Sequence, residues 1–588
     1  MKKILQVLCI AIVFPITILS QESETTSKSK DVIDFTTAYE KSDGMETATY
    51  EQAILFYEKL AKTYPEISIR KVGKTDAGFP LHLVIFDNSK TFDLANEEKN
   101  TILINNGIHP GEPDGIDASM MMLRDIVQSD SLKTKYNNVL ICIIPIYNIG
   151  GSLNRNSTSR VNQNGPISYG FRGNALNYDL NRDFIKNDTE NAKSFAKIFH
   201  ILNPDVFIDN HVSNGADYQY TLTHVFTQHN QLGGKIGEYL YHKMIPDIEQ
   251  DLLSKNIRTT PYVNVFNSVP ENGFSQFFDS PRYSTGYTTL FNTLGIMVET
   301  HMLKPYKQRV EVTYELMISF LDFTVKNGAA INLLRKKAVK EIIAKKTYPI
   351  QWKVNKDKYK TLDFKGYEGT FIPSEITSQK RLKYDRTKPF SKPVTYYDHF
   401  KAIKEITIPK YYVVPKKLVK IVERLKLNNI EMHPLKKDIS IEVESYKIDD
   451  YKTGKSPFEG HYLHRNTVVT STIKHQKFAK GDFLIPTDQP GIKYLLETLE
   501  PEAKDSFFNW NFFDIILQEK EGFSPYVFED LAKEILENND ELRRKYEKKK
   551  EGNIDFYNSW YQQLDYIYKN SKYAEKAYLQ YPIYRILN

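Results

Sequence analysis

Short apolar runs alternate with helical patterns from about residue 31 to residue 327. Residues 67–72, 81–86, 101–105, 138–144, 205–209 and 296–299 read as strands. Several are unbroken runs of Ile, Leu and Val, the pattern of strands covered by helices on both faces. Apolar residues recur at helical spacing over 50–64, 115–128, 190–202 and 234–254. The alternation predicts an α/β fold with a largely buried sheet.

The pattern changes after residue 330. Residues 331–346 carry Arg335, Lys336, Lys337, Lys340, Lys345 and Lys346 against Glu341, with Leu333, Leu334, Val339, Ile342 and Ile343 at helical spacing. This predicts a basic amphipathic helix that packs on its own domain rather than on a membrane or an acidic partner. Beyond it come short β-like runs at 406–409, 411–414 and 439–443, an aromatic stretch at 505–514 and a charged helical stretch at 529–550. The expected division is a domain at 45–330, a basic connecting helix at 331–350, and an α+β C-terminal accessory region at 351–588. That region is β-rich to about 485, then helical and aromatic-rich.

At 588 residues the chain is long enough for two to four domains. Apolar residues at 41% and charged residues at 26% exclude wholesale disorder. A formal charge of +6 spread over this length is no nucleic-acid footprint. Aromatics reach 13%, with 39 Tyr and 33 Phe; the clusters could stack on sugars, but a mixed core is the simpler reading.

The N-terminus changes the picture of location. Lys2-Lys3, an apolar run from Ile4 to Leu19 and Ser20-Gln21 read as a secretory signal peptide over 1–20, followed by a linker at 21–44. The run is shorter than the ~20 residues of a membrane span and contains Gln6 and Pro15. The mature chain is therefore expected in the periplasm or outside the cell, without stable membrane insertion. Of two cysteines, Cys9 lies in the signal and Cys142 in an apolar run, so no internal disulfide is expected.

Candidate chemistry sits where apolar strands end. His109 and Glu112 are three apart on a turn shaped by Gly107, Pro110 and Gly111, and His109 is the one histidine among 13 with Glu three residues on. Such a pair, with a second histidine, makes an open zinc site; alone it is equally a turn histidine beside a solvated acid. His211 follows the strand at 205–209, and ligands bind at the carboxyl ends of strands in open α/β sheets. Glu299 ends the run at 295–298 and suits a general base, with His301 nearby as the other candidate. Arg172, Asn181 and Arg182 suit an anion, one arginine polarising a carbonyl and the Asn-Arg pair clamping a carboxylate.

Taken in order, His109-x-x-Glu112, Arg172-Gly-Asn174, Asp179-Leu-Asn181-Arg182, His211 and Glu299 resemble the zinc carboxypeptidase family of the carboxypeptidase A type, peptidase family M14, over about 45–325. The resemblance implies a mixed, largely buried eight-stranded sheet flanked by helices, and one Zn2+ on His109, Glu112 and His211. It implies that Arg172 stabilises the oxyanion, that Asn181 and Arg182 hold the substrate's C-terminal carboxylate, and that Glu299 activates water. The family also has a tyrosine that caps the bound C-terminus. Here Ser280-Pro-Arg282-Tyr283-Ser-Thr-Gly-Tyr287 is similar to a bacterial variant of that segment, which makes Tyr287 the expected cap, Tyr283 the alternative and Arg282 an added carboxylate contact.

The expected function is that of an exported zinc metallocarboxypeptidase acting on peptide or protein C-termini. Two others stay open: a zinc hydrolase of cell-wall peptides or acylamino acids, and a non-catalytic protein binding peptide or glycan.

Overall fold

A computed structural model describes residues 33–587, so the expected signal peptide and Cys9 lie outside the described residues. The strands are β1 (Ile67–Lys74), β2 (Pro80–Phe86), β3 (Asn100–Asn105), β4 (Val139–Ile144), β5 (Val206–Ser213), β6 (Leu222–Phe226), β7 (Thr259–Pro261), β8 (Phe274–Ser275) and β9 (Leu294–His301). All but β8 form one eight-stranded sheet in the order β1-β2-β4-β3-β5-β9-β6-β7. The centre, β4-β3-β5-β9, is parallel. Antiparallel joins at β1–β2, β2–β4 and β6–β9 make the sheet mixed, as expected.

Every residue of β4 and β5 is buried, which is why these runs lack polar alternation. Cys142 lies within β4, free and buried. Parallel neighbours need crossover connections. The helix Asp114–Gln128 joins β3 to β4 and packs on the long helix Tyr306–Ile343, while Glu190–Leu202 precedes β5 and packs on β1. Phe195, Ile198, Phe199 and Leu202 share a core with Leu83, Ile85, Leu103 and Ile144. The helix Tyr50–Thr63 starts on a capping box in which Thr49 accepts from the Gln52 backbone and Gln52 from that of Thr49.

Three expectations change. The stretch 234–254 is not one α-helix: it is Gly234–Tyr239, a π-helical turn Leu240–Met244, and Ile245–Ser254. Pro246 has no N–H for the ladder, and the Ile245 N–H bonds Leu240 O five residues back. The basic helix at 331–350 is the end of Tyr306–Ile343, and Thr347–Val354 is a strand. The helical stretch at 529–550 breaks at Asn538-Asn539, where the Asn539 side chain caps the next helix, Asp540–Gly552.

The C-terminal half adds long hairpins. Strands Lys360–Pro373 and Lys380–Tyr397 pair with each other, and the second pairs with β8. A six-stranded sheet includes Tyr411–Val414, Ile439–Thr453, His464–Phe478 and the last strand, Gln580–Ile586, which inserts between the first two. From Thr37 onward the chain packs as one compact unit. Phe507, Phe508, Trp510 and Phe513 are buried, so the aromatic stretch at 505–514 is core.

Candidate active site

The carboxyl ends of β3, β5 and β9 open into a cavity of about 460 Å3. After β3 the chain turns through Gly107, whose φ of 62° is one that few side chains adopt. A second turn, in which Glu112 N–H donates to His109 O, puts both side chains on the same side. β5 delivers His211, and Glu299 stands opposite it on β9.

His109 Nδ1, His211 Nδ1 and one oxygen of Glu112 converge. The two nitrogens are 3.3 Å apart, and each lies 3.3 Å from Glu112 Oε2. The far nitrogens settle the tautomers. His109 Nε2 lies 2.9 Å from Asp179 Oδ1 and His211 Nε2 lies 2.7 Å from Asp209 Oδ2. A carboxylate only accepts, so both Nε2 atoms carry hydrogen and Nδ1 is the nitrogen of each ring turned to the centre. Against the pull of burial, the Asp209 carboxylate holds the His211 ring well above its ordinary pKa, and a bound cation would take the place of the proton on Nδ1. Ligands about 2.0–2.1 Å from a tetrahedral zinc are roughly 3.3 Å apart, so the observed triangle fits zinc. Among the described residues these three are the group able to hold a metal ion.

Charge is arranged around the triangle. Burial alone would raise the Glu112 carboxyl, but the Arg160 guanidinium, then His109, holds it well below the usual carboxylate range. Arg160 Nη1 lies 2.6 Å from Glu112 Oε1, and Val212 N–H donates to Oε2 at 2.9 Å. Glu299 goes the other way: burial pushes it up to about 7, with His211 pulling it down and Glu112 pushing it further up. Its carboxyl lines the cavity, as do Arg172, Asn181 and Arg182.

The zinc carboxypeptidase family profile, Peptidase M14, matches residues 54–204. Over this stretch the chain is similar to the zinc carboxypeptidase family. Carboxypeptidase 2 of Trichophyton rubrum is 20% identical over 495 residues, 79% of this chain and 84% of that one. Carboxypeptidase 2 of Trichophyton equinum is 20% identical over 500 residues, with the same coverage. Among solved structures, a metallo-carboxypeptidase from Burkholderia cenocepacia aligns with a TM-score of 0.37 at 17% identity, over 46% of this chain and 68% of that one.

The zinc carboxypeptidase family is zinc-dependent, and the triangle is a group that could hold such an ion. Around it, Arg172 bridges Asp179 at 2.9 Å and Glu112 at 3.5 Å while 44% of its side chain stays open to the cavity. Asn181 is buried and accepts from Ser284 N–H at 3.1 Å. Arg182 lies over the Tyr283 ring, 4.5 Å from its centre.

Two expected residues are elsewhere. Tyr287 is fully buried, its hydroxyl bonded to Asn428 Oδ1 at 2.7 Å and facing His200 Nε2 at 3.0 Å, so it does not cap this cavity. Tyr283 lines it instead. Arg282 is tied to Asp505 at 2.6 and 2.7 Å and is not in the cavity wall. His301, the other candidate base, stacks on Tyr218 at 4.2 Å and faces Asp217, outside the cavity.

Sequence reading missed Arg160 and Asp209. Asp209 had a visible cue, since residues two apart on a strand share a face and so Asp209 can reach His211. Arg160 had none: it follows Ser157-Thr-Ser in a polar loop.

Proposed function

We propose that the chain is an exported metallocarboxypeptidase that removes C-terminal residues from peptides. The observation that carries this reading is the triangle of His109 Nδ1, His211 Nδ1 and Glu112 Oε2, with 3.3 Å edges, in one cavity with the Glu299 carboxyl. Zinc held by His109, Glu112 and His211 supplies a Lewis acid and a lower pKa for the attacking water.

The chain's own groups divide the rest of the work. Asn181 and Arg182 hold the substrate's terminal carboxylate, with the Tyr283 ring under the guanidinium as one wall. Glu299 takes a proton from water as its oxygen attacks the scissile carbonyl carbon. The Arg172 guanidinium donates to the oxygen on which negative charge develops. As the C–N bond breaks, Glu299 returns that proton to the leaving amine, so its charge is restored each cycle.

The test is a panel of peptides with free or amidated C-termini, assayed on zinc-loaded full-length protein. Release of C-terminal residues from free peptides, with amidated ones resistant, is the expected result. Equal cleavage of both would overturn the carboxylate clamp. Export rests on residues 1–20, and the mass of protein recovered outside the cytoplasm should begin near Gln21. No described helix is long and apolar enough to cross a membrane.

A further inference from the structure

The region beyond residue 351 carries no ligand of the triangle and no side chain of the cavity wall, yet it holds both segments that form the carboxylate side of the site. We infer that Glu459 and Asp505 are positioning residues for the substrate's terminal carboxylate, which makes the C-terminal region part of the substrate site. This rests on the carboxypeptidase reading above.

The first segment is the short turn Leu180–Arg182. Asp179 caps it, its Oδ1 accepting from Asn181 N–H at 2.9 Å. The backbone N–H of Asp179 in turn donates to Glu459 Oε2 at 2.8 Å. Glu459 reaches that position from a left-handed backbone at φ 49°, followed by Gly460 at φ 79°. A Cβ on Gly460 would stand 2.9 Å from the Tyr178 hydroxyl oxygen, so the loop lies directly against the turn. His461 continues the grip through Asp188, 2.7 Å away.

The second segment carries Tyr283. Its neighbour Arg282 gives Asp505 both its backbone N–H, at 3.1 Å, and its guanidinium, at 2.7 and 2.6 Å. The Trp510 ring lies 4.9 Å from that guanidinium and also faces Lys186, 5.2 Å away, four residues beyond the turn.

The two segments are laced to each other. Ser284 N–H donates to Asn181 Oδ1, Phe184 N–H to Arg282 O, and Arg182 lies on the Tyr283 ring. Glu459 and Asp505 therefore brace the backbones behind Asn181, Arg182 and Tyr283. Asp505 touches this side of the site only through Arg282, whereas Glu459 is also joined to the triangle through Asp179, whose Oδ1 lies 2.9 Å from His109 Nε2, so zinc content is measured beside KM in every variant.

The experiment uses zinc-loaded full-length protein carrying Glu459→Ala or Asp505→Asn, assayed on a peptide with a free C-terminus. KM should rise about tenfold in both variants; in Asp505→Asn kcat should stay within about twofold with zinc stoichiometry unchanged, and in Glu459→Ala the KM rise should persist in protein shown to be fully zinc-loaded. Glu459→Gln, which keeps an acceptor oxygen for Asp179 N–H, should recover most of the loss. Because Asp505 is buried and its variant can fail to fold, the part-exposed Glu459 keeps the test decisive. An unchanged KM in folded Glu459→Ala would overturn the inference, as would zinc loss and a fall in kcat without a KM shift. Wild-type protein that does not distinguish free from amidated peptides would overturn the carboxypeptidase reading itself, before any variant is compared.

Discussion

His211 and Glu299 are direct partners across the parallel strands β5 and β9. Residues paired in this way project from the same face of a sheet, so one register places the proposed metal ligand beside the proposed general base. A slip of one residue would send Glu299 to the opposite face, and the continuous pairing from Val206↔Leu294 to Ser213↔His301 prevents it. Thr223 on β6 donates to the Glu299 carbonyl at 2.8 Å and fixes the strand from its other side.

Replacing that carboxyl by an amide, Glu299→Gln, keeps the shape and removes the base. Turnover of a free C-terminal peptide should fall by about 10²–10⁴-fold, the usual worth of a general base. Zinc content should remain that of the wild type, because Glu299 is not in the triangle. Elemental analysis alongside a hydrolysis assay checks both, and wild-type turnover in the variant would remove Glu299 from the mechanism.

Arg160 acts on the metal through Glu112. Its guanidinium, 2.6 Å from Oε1, is the strongest charge holding that buried carboxyl ionised. With Arg160→Leu, the remaining guanidinium near Glu112 is Arg172 at 3.5 Å. Zinc affinity should drop about 10–100-fold, the size expected when support of a metal ligand is lost. Competition against a chelator measures it directly, and undiminished affinity would show that Glu112 does not need the clamp.

What could be read from the chain follows from locality. The strand at 139–144 is apolar without interruption and is buried throughout, so pattern and structure agree. His109 and Glu112 are three residues apart and meet within one turn. Arg160 joins them from 48 residues beyond Glu112, past a helix and β4, and nothing local marks it. β6 was not anticipated because Leu-Thr-His-Val-Phe interleaves polar residues, yet all five positions are buried. The choice between Tyr283 and Tyr287 failed for a similar reason. Tyr283 is the extended cap of the short helix Ser284–Thr289, at φ −88° and ψ 160°, while Tyr287 lies within the helix. Four residues apart would put both rings on one helical face, but only one of them is helical.

That difference separates the two tyrosines in kinetics. Tyr287→Phe removes hydroxyl contacts to Asn428 and His200 in the core. It should lower stability by about 1 kcal/mol and leave kcat/KM unchanged. Tyr283→Ala removes the ring on which Arg182 rests and should raise KM several-fold. Denaturant melts paired with steady-state kinetics test both, and a kinetic defect in Tyr287→Phe would return that residue to the site.

Asp279 predicts how stability responds to pH. Its side chain is buried, with Oδ2 accepting from the Thr285 hydroxyl and Oδ1 without a hydrogen-bond partner. Burial pushes its carboxyl up to about 7, against an ordinary value of 3.8. Between those values the folded chain keeps the proton and the unfolded chain releases it. The stabilisation is therefore complete below about pH 4 and is lost as pH rises through about 7. On the order of 1–3 kcal/mol should disappear over that range from this group. Asp279→Asn has no proton to lose and keeps an acceptor for Thr285, so it should flatten this part of the profile and be the more stable form at pH 8. Denaturant melts of both proteins at pH 5 and pH 8 decide it: an equal fall in the two would mean that Asp279 does not titrate in this window.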